Sequence, residues 1–337
     1  MIRRILAATL IVVVCVVLAI AAWPQLFRLE WAPLVAQIVS LRAASIAVAA
    51  VAALLLLIVA AVSSVARRLA GSLALVLIVF CTVSLAVLAT RGFGGESFAA
   101  KQQGDITVLS WNTLGEAPGA QAIAELAIAA DADVITLPET TAEAGIAVAQ
   151  NMRDAGRPMW VHTTAFDQIS KARSTTLLIS PDLGTYTVNL DVGNTSTLPT
   201  VVATPDDGSG PTIVSVHPVA PVEGEMANWR SDLTWLAGVC SGPDTIMAGD
   251  FNSTLDHFRR LAGGPGLDFG ECVDAASAVG AAAIGTWPTS VPALFGTPID
   301  HVMATKNWVV SGMRVIDTVD DQGSDHRPIV AQLTPAP

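Results

Sequence analysis

Polar positions almost vanish from the first ninety residues, then return at regular places where apolar runs stop. Three stretches carry no charge at all: residues 5–26, 43–66 and 69–90. Each reaches or exceeds the roughly 20 residues that a helix needs to cross a hydrocarbon core of about 30 Å. With no polar face over that length, they predict three transmembrane helices. From Asp105 the pattern changes to short β-type runs alternating with helical ones. Residues 106–110, 134–137, 176–179, 200–203, 213–216, 245–248, 301–304 and 329–333 read as strands. Residues 120–130 place Ile123, Leu126, Ala127 and Ala130 on one face. Residues 223–239 place Met226, Trp229, Leu233 and Leu236 at three- and four-residue spacing, so both segments predict amphipathic helices. Gly, Pro, Asp and Ser crowd the intervening loops at 205–211, 263–266 and 287–298.

The boundaries follow from these changes of pattern. Residues 1–91 form a membrane domain, and residues 105–337 form one mixed α/β domain. Between them, residues 92–104 read as a linker containing Gly92, Gly94, Gly95, Ser97, Gln102 and Gln103.

Charge adds an orientation. Arg3 and Arg4 precede the first span, and Arg67 and Arg68 fill the short loop between the second and third. Arg28 and Arg42, partly offset by Glu30, lie between the first and second. The positive-inside rule then places the N-terminus and the 67–68 loop in the cytoplasm, and everything after Thr90 outside. An alternative takes residues 1–22 as a cleaved signal peptide, but that apolar run exceeds the usual h-region of roughly 7–15 residues. The C-terminal domain is extracytoplasmic under either reading.

From Gln102 onward, 10 Lys and Arg stand against 27 Asp and Glu, leaving −17 of the formal charge, against −11 for the whole chain. Such a domain lacks the basic footprint of a tight, non-specific nucleic-acid binder. A bound divalent cation would invert the sign locally and admit a phosphate. Cys15 and Cys81 sit in apolar spans, whereas Cys240 and Cys272 fall in the external domain, where disulfides persist. A bridge between the last two would close a loop of about thirty residues and stabilise by roughly 3–4 kcal/mol; two free buried thiols are the alternative.

The polar residues at the ends of apolar runs carry the chemistry. They are Asn112 in Trp111-Asn112-Thr113, Glu139 in Pro138-Glu139-Thr140, His217 before Pro218, Asp250 and Asn252 in Gly249-Asp250-Phe251-Asn252, and Asp300 before His301. Asp325 and His326 complete the set in Ser324-Asp325-His326-Arg327-Pro328. Carboxylates and amides suit a hard cation, and an Asp/His set can align a water and stabilise a phosphoryl group. Strand ends at one edge of a layered domain can bring such groups to a single cleft.

These motifs, in this order from about Thr107 to Val330, resemble the endonuclease/exonuclease/phosphatase superfamily of DNase I-like nucleases, sphingomyelinases and inositol-polyphosphate phosphatases. The resemblance implies a four-layer αββα sandwich and Mg²⁺-dependent (or Mn²⁺-dependent) in-line attack of water on phosphorus. It makes Glu139 the main metal ligand, with Asn112 and Asp325 supporting the metal or its waters. Asp250 would orient or deprotonate the attacking water, and Asn252 would hold the nucleophile or a phosphoryl oxygen. His326 would stabilise charge on phosphorus with its ring fixed by Asp300. His217 would contact the phosphate or protonate the leaving oxygen.

Pro138 departs from the family, where many members carry Gln. The Arg/Tyr-rich loops of the nucleic-acid-cleaving members are not evident either: Tyr186 is the one tyrosine, and cations are sparse outside Lys171/Arg173 and Arg259/Arg260. Strand alternation turns His301 away from Asp300, which makes it structural. His162 and His257 lack a motif and read as surface or packing residues, Trp111, Trp229 and Trp287 read as core, and Arg327 as a phosphate contact or a salt bridge.

The expected activity is therefore that of a membrane-anchored, extracytoplasmic phosphoesterase. Its substrate would be a phospholipid headgroup, a small phosphoester or nucleic acid. A catalytically silent ligand- or partner-binding domain on the same anchor is the competing expectation. A transport module is disfavoured because the spans contain no Asp, Glu, Lys, Arg or His.

Overall fold

The computed structural model describes residues 1–94, 98–242 and 244–337. The chain divides into two compact units, Met1–Arg91 and Gly92–Pro337. In the first, α1 (Ile2–Ala22), α3 (Arg42–Val62) and α4 (Arg67–Arg91) are each long and apolar enough to cross a membrane, and α2 (Val35–Ser40) is a short connecting helix. The first apolar stretch was expected to run to residue 26, yet α1 stops at Ala22. Trp23 precedes Pro24, and the proline ring pushes the residue before it out of the helical region, here to φ −146° and ψ 68°. Arg42 is buried and donates from Nη1 to the Ala22 carbonyl at 2.9 Å, satisfying one acceptor at that helix end. Ala49 and Ala53 of α3 and Ala70 and Ala74 of α4 are buried, as expected where small residues let apolar helices approach.

The second unit contains β1 (Ile106–Ser110), α5 (Gly119–Ala129), β2 (Val134–Pro138), α6 (Ala142–Asp154), β3 (Trp160–Ala165), β4 (Ser174–Ile179), β5 (Tyr186–Val188), β6 (Val201–Pro205), β7 (Thr212–Val216), α7 (Met226–Val239) and β8 (Thr245–Asp250). It continues with α8 (Leu255–Phe258), β9 (Val273–Asp274), α9 (Ala275–Val279), β10 (Asp300–Ala304), β11 (Trp308–Val315) and β12 (Ile329–Pro335). The strands form two six-stranded mixed sheets, ordered β11-β12-β1-β2-β4-β3 and β5-β6-β7-β8-β10-β9. Alternation along β1 shows the layering: Val108 joins Val134, Leu177, Ile213, Ile246 and Val302 in the core between the sheets. Its neighbours Leu109 and Trp111 face outward onto Ile123 of α5 and Val148 and Met152 of α6. Helix α7 buries Trp229, Leu233 and Leu236 in the layer beyond the second sheet. The result is the αββα sandwich, an α/β fold of the DNase I type.

Parts of the expected linker are built into this unit. The Gly94 N–H donates to the Gly280 carbonyl (3.0 Å), and the Ala283 N–H donates to the Gly92 carbonyl (3.0 Å). A Cβ on Gly92 would stand 2.0 Å from the Gly280 oxygen, so glycine alone permits that approach. Gly95 and Ser97 lie outside the described residues. Cys240 and Cys272 are joined in a disulfide, with Cα atoms 6.0 Å apart, tying the end of α7 to the segment before β9.

Candidate active site

Strand direction brings the polar residues to one edge. β1 runs parallel to β2, and β7 parallel to β8, while β12 and β10 run antiparallel to β1 and β8. The chain therefore leaves β1, β2, β7 and β8 where it enters β10 and β12. Asn112, Glu139 and His217 follow three of those exits, and Asp250 is the last residue of β8, paired in register with Asp300. Gly249 makes the junction possible. Its φ is +152°, and a Cβ there would lie 2.1 Å from the Val216 carbonyl oxygen, so only glycine lets β7 and β8 close beside the site. Glu139 (φ 61°) and Asn252 (φ 47°) both adopt the left-handed region that residues with a Cβ usually avoid.

The structure brings all eight sequence-predicted residues together. The Asn112 Nδ2 donates to Asp250 Oδ2 (3.0 Å) and Glu139 Oε1 (3.2 Å), while its Oδ1 accepts from the Leu114 N–H (3.0 Å). His217 Nε2 lies 4.0 Å from Glu139 Oε1. The Asn252 N–H donates to Asp250 Oδ1 (2.7 Å), and its Nδ2 donates to the Pro218 carbonyl (3.0 Å). His326 stands at the centre of the carboxylates. Its Nδ1 meets Asp300 Oδ2 at 2.9 Å, and its Nε2 lies 3.7 Å from Asp250 Oδ2 and 3.9 Å from Asp325 Oδ1.

The electrostatics follow from burial. Asp250 is 2 % exposed, and burial, aided by the neighbouring Asp300 charge, raises its carboxyl to about 7 against the opposing pull of His326. Burial also raises Glu139, with the Asn112 hydrogen bond and His326 working the other way. For His326 burial favours the neutral ring, but Asp300, Asp250 and Asp325 outweigh it and lift the imidazole to about 10. His217 is lowered to about 3 by burial and by the His326 charge, so its ring is neutral at physiological pH. One imidazolium thus faces four carboxylates.

Supporting residues escaped the motif reading because their side chains act on backbone or from distant loops. The Trp111 indole N–H donates to the His326 carbonyl (2.9 Å), and Ser324 Oγ donates to the Asn112 carbonyl (2.6 Å), joining the end of β1 to the approach to β12. Trp287, expected in the core, is only partly buried and donates from Nε1 to Asp325 Oδ2 (2.8 Å). Thr286 Oγ1 accepts from the Asp300 N–H (3.2 Å). No residue spacing announced any of these. Arg327 is no phosphate contact in this arrangement: it is 1 % exposed, pairs with Asp320 and donates to the carbonyls of Pro288, Thr289 and Val291. His301 does face away, bonding Asp274 at 2.7 Å and the Ser253 carbonyl at 2.9 Å. His257 is fully buried and caps α8 through the Thr254 N–H, so it packs inside rather than at the surface.

The donor set fits a hard divalent cation. Asp250 and Asp300 are buried and Glu139 and Asp325 partly so, and holding four carboxylates beside one imidazolium is costly unless further positive charge is supplied. Oδ1 of Asp300 and Oδ1 of Asp325 are both buried without a hydrogen-bond partner. One donor atom each from Asp250, Asp300 and His326 falls within a 4.8 Å cluster. Of these, His326 is engaged by Asp300 and carries charge, which leaves oxygens as the ligands a cation would take.

Fold and site together define a phosphoesterase-type sandwich, and the comparisons agree. The model of the endonuclease/exonuclease/phosphatase family matches residues 109–326. The chain belongs to that family. Among solved structures, an endonuclease/exonuclease/phosphatase protein from Beutenbergia cavernae is similar at TM-score 0.52 and 18 % identity, over 69 % of this chain and 72 % of that one. A humanized D. rerio TDP2 gives 0.51 and 15 %, over 69 % of this chain and 100 % of its own. A Bacteroides vulgatus endonuclease/exonuclease/phosphatase gives 0.50 and 15 %, over 69 % and 99 %. At these identities the likeness is one of fold. None of the curated proteins compared with the chain matches it.

Proposed function

We propose that the chain is a membrane-anchored phosphoesterase that uses Mg²⁺ or Mn²⁺ and works on the extracytoplasmic side. The observation that carries the reading is the His326 imidazole held between Asp300 and Asp250, beside Asn112 and Glu139. Glu139 would hold the cation, with Asn112 and Asp325 at its periphery; Asn112 would do so by turning its amide so that oxygen faces the carboxylates. When bound, the cation would polarise the phosphoryl group and neutralise its charge.

The remaining work falls to the chain's own residues. Asp250 accepts a proton from the attacking water, a role suited to a carboxyl raised toward neutrality by burial. Asn252, with Nδ2 on the Pro218 carbonyl, stands where it can orient that water or a phosphoryl oxygen. His326, kept cationic, donates to phosphoryl oxygens as charge develops, and Asp300 fixes its ring. Neutral His217 accepts or donates a hydrogen bond at the phosphate or the leaving oxygen. A D. rerio TDP2 structure with single-strand DNA product shares this fold, but the −17 charge of this unit favours a phosphoester lacking a polyanionic backbone.

The test is a panel of phosphomonoesters, diesters, sphingomyelin, inositol phosphates and plasmid DNA, assayed with the full chain in detergent with Mg²⁺ or Mn²⁺. Metal-dependent turnover of at least one, lost in Asp250→Ala, is the expected result. A folded protein inert on the whole panel would support the silent binding domain instead.

A further inference from the structure

Large apolar side chains stand exposed on four loops at the same edge as the site. Leu114 follows Asn112 by two residues, and Ile169 lies in the 166–173 loop that runs into Ser174, whose carbonyl accepts the Thr140 N–H at 3.2 Å. Val222 lies in the segment after His217, and Leu294 and Phe295 belong to the loop before Asp300. Their exposure runs from 45 % at Leu114 to 94 % at Ile169. Single exposed apolar residues are ordinary, and Trp160 and Val309 are examples on this unit's edge strands. The group at the cleft differs because its loops leave the same sheet edge as the candidate site residues, and the one carrying Leu294 and Phe295 is braced. Arg327 bonds to three carbonyls of the Leu294–Phe295 loop, and the Thr289 N–H donates to the Asp325 carbonyl at 3.0 Å.

We propose that this rim seats on a lipid bilayer and that the substrate is the phosphoester of a zwitterionic membrane lipid. The inference rests on the phosphoesterase reading above and names its substrate class. Two features select the occupant. The unit begins at Gly92, the residue after the third membrane-length helix, so chain continuity keeps it at a bilayer. Its −17 charge repels anionic lipid. The rim cations Lys171 and Arg173 do not offset this, being paired with Glu116 (2.7 Å) and Asp167 (2.9 Å). Loops with apolar tips enter the headgroup boundary and leave the polar cleft at phosphate depth. There the water oxygen bonds to phosphorus and the P–O bond to the leaving alcohol breaks. The water proton passes to Asp250 and from there, through solvent, to the departing oxygen, which leaves as the alcohol.

The test uses the full chain in phosphatidylcholine vesicles with Mg²⁺, assayed on vesicle phosphatidylcholine and on soluble bis-p-nitrophenyl phosphate. Ile169→Ser combined with Leu294→Ser and Phe295→Ser should lower lipid turnover about tenfold or more while soluble-diester turnover stays unchanged. Admixed phosphatidylglycerol should lower lipid turnover further, and salt should restore it. As a readout independent of catalysis, a fluorophore on Phe295→Cys, in a background of Cys15→Ala and Cys81→Ala, should be quenched by acyl-brominated phosphatidylcholine. Soluble turnover with no lipid turnover, an equal loss on both substrates, or an unquenched fluorophore would overturn the lipid inference alone. No turnover of either substrate would overturn the phosphoesterase reading with it.

Discussion

Asp250 and Asp300 face each other across β8 and β10, and His326 lies against both. A cation so held depends on the partner at Nδ1. Asp300→Asn keeps the shape but removes the charge that fixes the ring, and should lower kcat by about 10⁴-fold with KM little changed. Steady-state kinetics on a soluble diester would show it. As the proposed base, Asp250 would have to be ionised to take a proton, and burial raises its carboxyl to about 7. Activity should therefore fall about tenfold per pH unit below that ionisation. The midpoint should shift to lower pH as Mg²⁺ rises, because nearby positive charge favours the carboxylate. A flat profile between pH 5 and 8, or a midpoint unmoved by Mg²⁺, would count against Asp250 as base. Trp287 supplies one hydrogen bond to Asp325. Trp287→Phe should weaken Mg²⁺ activation about tenfold while leaving the saturated rate near normal.

At the scale of elements, the eight predicted strand segments each coincide with a strand of the two sheets, the one at 200–203 beginning a residue early, and both predicted amphipathic helices form within a few residues of their expected ends. Most of these strands are buried on both faces and so read as short, nearly unbroken apolar runs, whereas the helices carry one apolar face at three- and four-residue spacing. β3 and β11 went unread because they are edge strands with little burial, and β11 also carries an irregularity between Val310 and Gly312. Helix α6 was masked by Gly145, whose missing Cβ lets the helix pack within reach of Thr176. The eight candidate residues were legible because strand ends carry them in short motifs. Trp111, Ser324 and Thr286 were not, since they act through contacts between segments far apart in sequence. The β7–β8 junction has a sharp consequence: Gly249→Ala should destabilise the unit by about 3 kcal/mol through the Val216 clash, read as a lower denaturation midpoint. Replacing both Cys240 and Cys272 by Ala should cost about 3–4 kcal/mol, and reductant should match that loss in the parent chain.

At the scale of the molecule, three membrane-length helices precede a catalytic-type sandwich whose surface is strongly acidic. On the proposed reading that acidity would make a cation necessary for more than the chemical step, because a phosphate would have to enter a cleft of four carboxylates. The most direct measurement is hydrolysis of bis-p-nitrophenyl phosphate by the full chain, titrated with Mg²⁺ after exhaustive chelation. The account expects no turnover in chelator, recovery with Mg²⁺ or Mn²⁺, and a loss of about 10³-fold or more in Asp250→Asn. Undiminished turnover in chelator, or parent-level turnover by Asp250→Asn in a folded preparation, would contradict it.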